Sequence, residues 1–315
     1  MIQLNSIINA RNRISNIVKH TPLYYSQYFS QTFHSNIYLK LDNLQVTGSF
    51  KIRGAYNFIS QISSSGQAKG VIAASSGNHG KAVAYAAREV GLSAKVVIPI
   101  DAPKIKVDGI QGQGAEVIFW GKYTKERLQK AKEIARKSDL IFIHSFDHPW
   151  IIEGQGTGGL EILDDLPEPD IVLVPIGGGG YISGISLAIK TRNPKVKIYG
   201  VEPLKSNCMW LSLKEKKITE LKYIDTIADG LRSSKPGKLT FSIVNQYVDD
   251  ILLVEEKDII IALKTLLKEE KILAEPSGVV SLAALLSNRA MIENKNVVAV
   301  ITGGNIDMEL LKKLL

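Results

Sequence analysis

Runs rich in valine and isoleucine return along the whole chain, and segments with apolar residues at helical spacing separate most of them. The runs are Val71 to Ala74, Lys95 to Ile98, Glu116 to Phe119, Leu140 to Ile143, Ile171 to Ile176, Lys197 to Val201, Ile251 to Val254 and Val297 to Ile301. Between them, Ala82, Ala86 and Val90, or Ile259, Leu263 and Leu266, follow helical spacing. Strand and helix in turn predict an α/β chain whose parallel sheets are covered on both faces. Its 315 residues exceed what one core usually holds, so two packed domains with a shared cleft are expected. No linker or internal repeat marks the boundary between them.

Open parallel sheets take ligands outside the carboxyl ends of their strands. Three polar, glycine-rich segments follow strands directly: Ser75-Ser76-Gly77-Asn78-His79-Gly80, Gly177 to Gly180, and Thr302-Gly303-Gly304-Asn305. Basic residues exceed acidic ones by 39 − 31 = 8, but they are mixed with acids in helical stretches such as Lys122 to Lys137. That pattern predicts a solvated surface, with neither nucleic acid nor membrane as partner. Cys208 is the only cysteine, which excludes an intramolecular disulfide framework and suits a reducing compartment. The first twenty residues hold no continuous apolar run of the kind a secretion signal needs, so a soluble cytoplasmic protein is expected.

Gly177 to Gly180 stand between a buried-strand pattern and an apolar helix pattern over Tyr181 to Ile189. Glycines let backbone N–H groups turn inward, and a helix N-terminus adds partial positive charge, so the segment suits a phosphate. A tight turn alone needs one or two glycines, not four. Glu202, at the end of the next strand, raises the possibility of a dinucleotide, but a G-x-G-x-x-G fingerprint would need glycine where Ile182 and Ser183 stand. In Thr47-Gly48-Ser49-Phe50-Lys51-Ile52-Arg53-Gly54 a lysine opens a helical pattern through Ala55, Phe58 and Ile62. A helix N-terminus and burial both disfavour its charge and make it a better amine nucleophile. Seen alone, such a lysine is a surface residue.

Taken together, these segments resemble the fold-type II pyridoxal-phosphate (PLP) enzymes, specifically the threonine and serine dehydratases and serine racemase. The resemblance runs through His20-Thr21-Pro22-Leu23, GSFKIRGA from Gly48, SSGNHG from Ser75, GQGT from Gly154, the tetraglycine loop, ADG from Ala228, EPSG from Glu275 and TGGN from Thr302. It implies two open twisted parallel-sheet domains like the tryptophan synthase β-subunit, with PLP in the cleft. A large domain is expected over 1–69 and 148–315, and a small mobile one over 70–147.

The resemblance also implies roles. Lys51 would hold the cofactor as a Schiff base and carry a proton, with Phe50 packed beside the ring. Asn78 would bond the ring hydroxyl, Gly177, Gly178, Gly179 and Gly180 would cup the phosphate, and Thr302 would meet the pyridine nitrogen. Ser75, Ser76, Asn78 and His79 would grip the substrate carboxylate, although His79 by itself reads as a core or capping histidine. A neutral hydroxyl at Thr302 leaves the nitrogen mostly unprotonated, which favours prompt β-elimination. The implied reaction converts a small hydroxy amino acid to a 2-keto acid and ammonia, and threonine, serine and a hydroxyaspartate all remain open as substrates.

Alternatives stay open. Ser76 matches the serine of serine racemase that reprotonates from the face opposite the lysine, or it is a helix N-cap. Cysteine synthase-like β-replacement is disfavoured because the loop reads Ser-Ser-Gly-Asn-His-Gly, where those enzymes have Thr-Ser-Gly-Asn-Thr-Gly. A catalytically silent binding protein would not need Lys51. Family members that bind a divalent cation place oxygen ligands after the Glu-Pro that ends a strand, here Glu202-Pro203, and the animal racemases carry an acid six residues beyond Glu202, where Cys208 stands, so no metal ligand is named. The end at Leu315 leads to the expectation of no regulatory domain, and the family suggests a homodimer.

Overall fold

The computed structural model describes residues 2–66, 68–287 and 292–315. Its strands are β1 (Leu23–Tyr25), β2 (Asn36–Leu41), β3 (Gly70–Ala74), β4 (Ser93–Ile98), β5 (Glu116–Phe119), β6 (Ile141–Phe142), β7 (Ile171–Pro175), β8 (Lys197–Pro203), β9 (Asp250–Val254) and β10 (Asn296–Ile301). They form a six-stranded sheet in the order β1-β2-β10-β7-β8-β9 and a four-stranded sheet in the order β5-β4-β3-β6. Every pairing is parallel except β1 with β2. All eight expected runs are strands, and the fold is the expected type II α/β architecture.

Parallel strands buried on both faces read as unbroken apolar runs. In β10, Val297, Ala299 and Ile301 enter the core on one face, while Val298 and Val300 enter the core on the other. In β7, Ile171 and Leu173 divide from Val172 and Val174 in the same way. β1 and β2 are absent from the sequence reading, and the reason is chemical. Asn36-Ile-Tyr-Leu-Lys-Leu41 carries a lysine, yet Lys40 is fully buried, with its amine 2.7 Å from Glu161. A charge that breaks an apolar run is tolerated inside a sheet only when a distant acid neutralises it.

All four strands of the smaller sheet fall within 70–147, and all six of the larger lie outside that span. The core of the smaller sheet reaches past those limits. Ile52, Phe58 and Ile59 of the helix Lys51–Ser65, together with Ile14 near the N-terminus, pack with Val71, Val96 and Ile98. On its other side this lysine helix meets the helix Pro149–Asp165 backbone to backbone: a Cβ at Gly154 would lie 2.4 Å from the Arg53 carbonyl oxygen. The lysine helix is thus wedged between the two sheets. Among the described residues no helix is long and apolar enough to cross a membrane.

Candidate active site

The chain leaves β2 through Asp42–Leu44, turns at Gly48 with φ +76°, and enters the lysine helix at Lys51. A Cβ at Gly48 would stand 2.5 Å from Asn305 Oδ1, so glycine is needed for space as well as for φ. The C-terminal loop holds this turn in place. Gly304 N–H donates to the Gly48 carbonyl at 2.9 Å, Phe50 N–H to the Thr302 carbonyl at 3.0 Å, and Ser49 pairs with Gly303. Thr302 is buried, and its hydroxyl donates weakly to the Ser277 carbonyl at 3.4 Å.

Lys51 Nζ donates to the Ser145 carbonyl at 3.1 Å and lies 4.9 Å from the centre of the Phe50 ring. Burial lowers its pKa to about 8, against the opposing pull of Glu275. The Phe50 ring stacks on Tyr181 with centroids 4.2 Å apart and planes within 9°.

After β3, Ser75 Oγ accepts the Gly77 N–H at 3.3 Å, and Gly77 caps the helix Asn78–Glu89. Gly77 has no side chain, so no side-chain oxygen closes that helix end and Ser76 is not its cap. Asn78 Nδ2 donates to Glu275 Oε1 at 2.6 Å, and its Oδ1 accepts from Asn305 Nδ2 at 2.7 Å. Lys81 reaches Asn305 Oδ1 at 3.0 Å. Burial raises the Glu275 carboxyl to about 8, with the Asp229 charge adding to the shift. The His79 ring faces the interior, where Nε2–H donates to the Ile143 carbonyl at 3.1 Å and burial lowers its pKa to about 3. Its side chain is therefore the core histidine of the plainer reading.

Gly177 to Gly180 follow β7 and open the helix Gly180–Arg192. Added Cβ atoms would meet the Phe146 ring at 2.3 Å from Gly178 and Phe146 Cα at 2.9 Å from Gly180, while Gly179, at φ +93°, would meet Met209 Cε at 2.6 Å. Thr240 Oγ1 donates to the Gly178 carbonyl at 2.7 Å. With Gly179 as cap, no side chain occupies the first-turn N–H groups, which form a cradle for an anion. Phe146 ties this cradle to the lysine, because its neighbour Ser145 supplies the carbonyl that Lys51 binds.

Ser145, Phe146, Glu275 and Asn305 were not assigned roles from the sequence. Glu275 and Asn305 stand inside EPSG and TGGN, and Ser145 and Phe146 follow the carboxyl end of β6, so position was the available signal. Glu202 accepts Met209 N–H at 3.0 Å and Trp210 N–H at 2.8 Å, and burial pushes it up to about 8; burial likewise raises the Cys208 thiol. Among the described residues no group of three or more His, Cys, Asp or Glu side chains is arranged to hold a metal.

The donor set fits PLP: a side-chain-free helix start for the phosphate, an amine of lowered pKa, and a buried Ser49 hydroxyl in the lysine loop that lacks a partner in the protein. Fold and site together fit the class of α/β enzymes that use a phosphate-bearing aldehyde cofactor. The chain belongs to the pyridoxal-phosphate dependent enzyme family, whose description matches residues 14–303. It is 44% identical to the L-threonine ammonia-lyase of Thermotoga maritima, over 100% of this chain and 78% of that one. Among solved structures, maize serine racemase superimposes with a TM-score of 0.95 at 36% identity, covering 99% of this chain and 96% of that one. A processed threonine deaminase of Solanum lycopersicum gives 0.94 at 36% identity, covering 98% and 86%.

Proposed function

We propose that the protein is a PLP-dependent ammonia-lyase that converts threonine or serine to a 2-keto acid and ammonia. The observation that carries the proposal is the Lys51 amine, lowered to about 8 and held by the Ser145 carbonyl beside the glycine cradle. The name and 44% identity of the Thermotoga relative favour threonine chemistry.

When bound, PLP supplies an electron sink for charge developing at the substrate Cα. Lys51 would hold the cofactor and serve as the base for the Cα proton; a pKa near 8 leaves a useful neutral fraction near neutral pH. A hydroxyl at Thr302, not a carboxylate, puts no anion there to hold a ring nitrogen protonated, which suits rapid elimination. Ser75, Ser76 and the backbone N–H groups at Asn78 and His79 bind the substrate carboxylate at a helix start. Asn78, held by Glu275 and Asn305, would bond the ring hydroxyl. Residues 70–147 act as the small mobile domain that closes over the site and excludes water. On the same proposal the enzyme is a cytoplasmic homodimer.

Serine racemase is the second reading. Because Gly77, not Ser76, caps the helix, the Ser76 hydroxyl is left for proton transfer. The test supplies L-threonine and L-serine to the PLP-loaded enzyme and measures keto acid and D-isomer together. Keto acid in excess supports the lyase. D-serine in excess, abolished in Ser76→Ala, establishes the racemase instead.

A further inference from the structure

Beneath the two loops lies a cluster of buried charges. Asp42 is fully buried at the end of β2 and accepts Arg53 Nε at 2.9 Å and Nη2 at 2.8 Å. It also accepts the Tyr181 hydroxyl and, at 2.6 Å, the Thr21 hydroxyl. On its far side the Arg53 guanidinium makes a second fork to Glu161, at 2.6 and 2.7 Å. Lys40 completes the set at 2.7 Å from Glu161, so two cations face two anions.

Position gives the cluster its meaning. Arg53 is the third residue of the helix that begins with Lys51, and Tyr181 is the second residue of the helix that begins with Gly180. One carboxylate therefore fastens the first turns of both helices. Above it, the residue before Lys51 stacks on the residue after Gly180, through the Phe50 and Tyr181 rings. Buried ion pairs seldom repay their desolvation, so stability is a poor reason for this arrangement. Direction is a better one. A guanidinium forked to a carboxylate on each side fixes plane and distance at once, and covalent cofactor attachment needs its anchor points held within a fraction of an ångström.

We propose that Asp42 is a positioning residue: through Arg53 and Tyr181 it sets the spacing between the Lys51 amine and the tetraglycine cradle, so that one PLP molecule engages both. The proposal rests on the roles given above to Lys51 and to Gly177–Gly180.

The test uses the full-length protein stripped of cofactor, comparing wild type with Tyr181→Phe, Arg53→Lys and Asp42→Asn. Two quantities are read: the melting temperature of the cofactor-free protein, and the dissociation constant for PLP from the visible absorbance of the lysine-bound cofactor. Tyr181→Phe keeps the ring stack and loses only the hydroxyl. It is expected to melt close to wild type while binding PLP about tenfold more weakly, the scale seen when supporting-shell bonds are removed. Arg53→Lys, if it folds, is expected to bind more weakly still. Unchanged PLP affinity in Tyr181→Phe overturns the proposal, even if the other two variants fail to fold. A wild-type protein that takes up no PLP on Lys51 defeats the underlying site assignment, which is a separate result.

Discussion

Asn78 and Glu275 are 197 positions apart in sequence, yet the Asn78 amide donates to Glu275 Oε1 at 2.6 Å. Asn78 starts the helix behind β3 of the smaller sheet, and Glu275 precedes the turn Pro276–Gly278 that abuts Gly303 of the C-terminal loop. Asn78–Asn305 and Lys81–Asn305 cross the same boundary. These bonds between neutral amides, a high-pKa carboxyl and one lysine are individually modest, so no single one of them holds the boundary.

Replacing Lys51 with alanine is expected to remove covalent PLP while leaving the fold. Borohydride reduction of the wild type should add the cofactor mass to the peptide bearing Lys51, and Lys51→Ala should show no such adduct and lose at least about a thousandfold in turnover.

The Lys51 amine sets a pH dependence. Its pKa lies below the ordinary lysine value, so in cofactor-free protein the neutral fraction rises about tenfold per pH unit up to about 8 and then levels off. The rate of PLP attachment should follow that curve. The Glu275 charge raises the Lys51 pKa, so in Glu275→Gln the plateau should arrive at lower pH. An inflection left near the ordinary lysine pKa would contradict the buried setting of the amine.

Gly179→Ala places a Cβ at φ +93°, 2.6 Å from Met209 Cε, and should cost about 1–3 kcal/mol of stability. Gly66→Ala is the control. It shares a positive φ, +65°, but has no atom within 4 Å of the new Cβ, so about 1 kcal/mol is expected. Only the Gly179 variant should also lose PLP affinity, as read by titration.

Eight strands were legible because their Val-Ile runs meet a charge only at the first residue, as at Lys95, Glu116 and Lys197, and Val297 to Ile301, buried on both faces, meets none. β2 was not, because Lys40 reads as solvent-exposed until Glu161, on a different helix, is known to face it. The segments of Asn78 and Gly177 to Gly180 were legible as glycine-rich stretches after strands, whereas Lys51 was legible only through the resemblance of GSFKIRGA in their company; the structure brings the three into one region. Arg53 and Tyr181 stood next to named residues without being singled out, since nothing local says that they share Asp42 as a partner. Long-range pairing of buried charge carries no periodic signature, so this layer of the site was invisible in one sequence.

That layer predicts its own failure mode. Lys40→Met leaves Glu161 with one cation instead of two in a buried setting, and the loss should approach the roughly 3–5 kcal/mol typical of broken buried pairs. The Arg53 guanidinium, working against burial, holds Asp42 low, at about 2. Since a depressed carboxyl stabilises the fold above its unfolded pKa, the Asp42 contribution should persist at pH 5 and vanish as pH falls through about 2. Acid unfolding followed by circular dichroism, in wild type and Asp42→Asn, checks the sign.

Lys106 and Asp229 offer a test of the closure proposed for residues 70–147. Their 2.6 Å ion pair joins the helix Lys104–Gln111 to the segment before Gly230, with both side chains partly exposed. Exposed pairs contribute under about 1 kcal/mol, so Lys106→Ala should keep the wild-type melting temperature. Its KM for the amino acid should rise by no more than about fivefold and lose the wild type's salt dependence.

The strand order has a consequence for how the protein is made. β10, which follows β9 in the chain, lies between β2 and β7 in the middle of the larger sheet, and the loop after it clasps Gly48 and Phe50. On the ribosome, β2 and β7 emerge before β10 with an open seam between them, and the lysine turn lacks its clasp until β10 and the loop after it have been made. A chain that has not yet made β10 and the loop after it therefore lacks the bonds that hold the turn carrying Lys51.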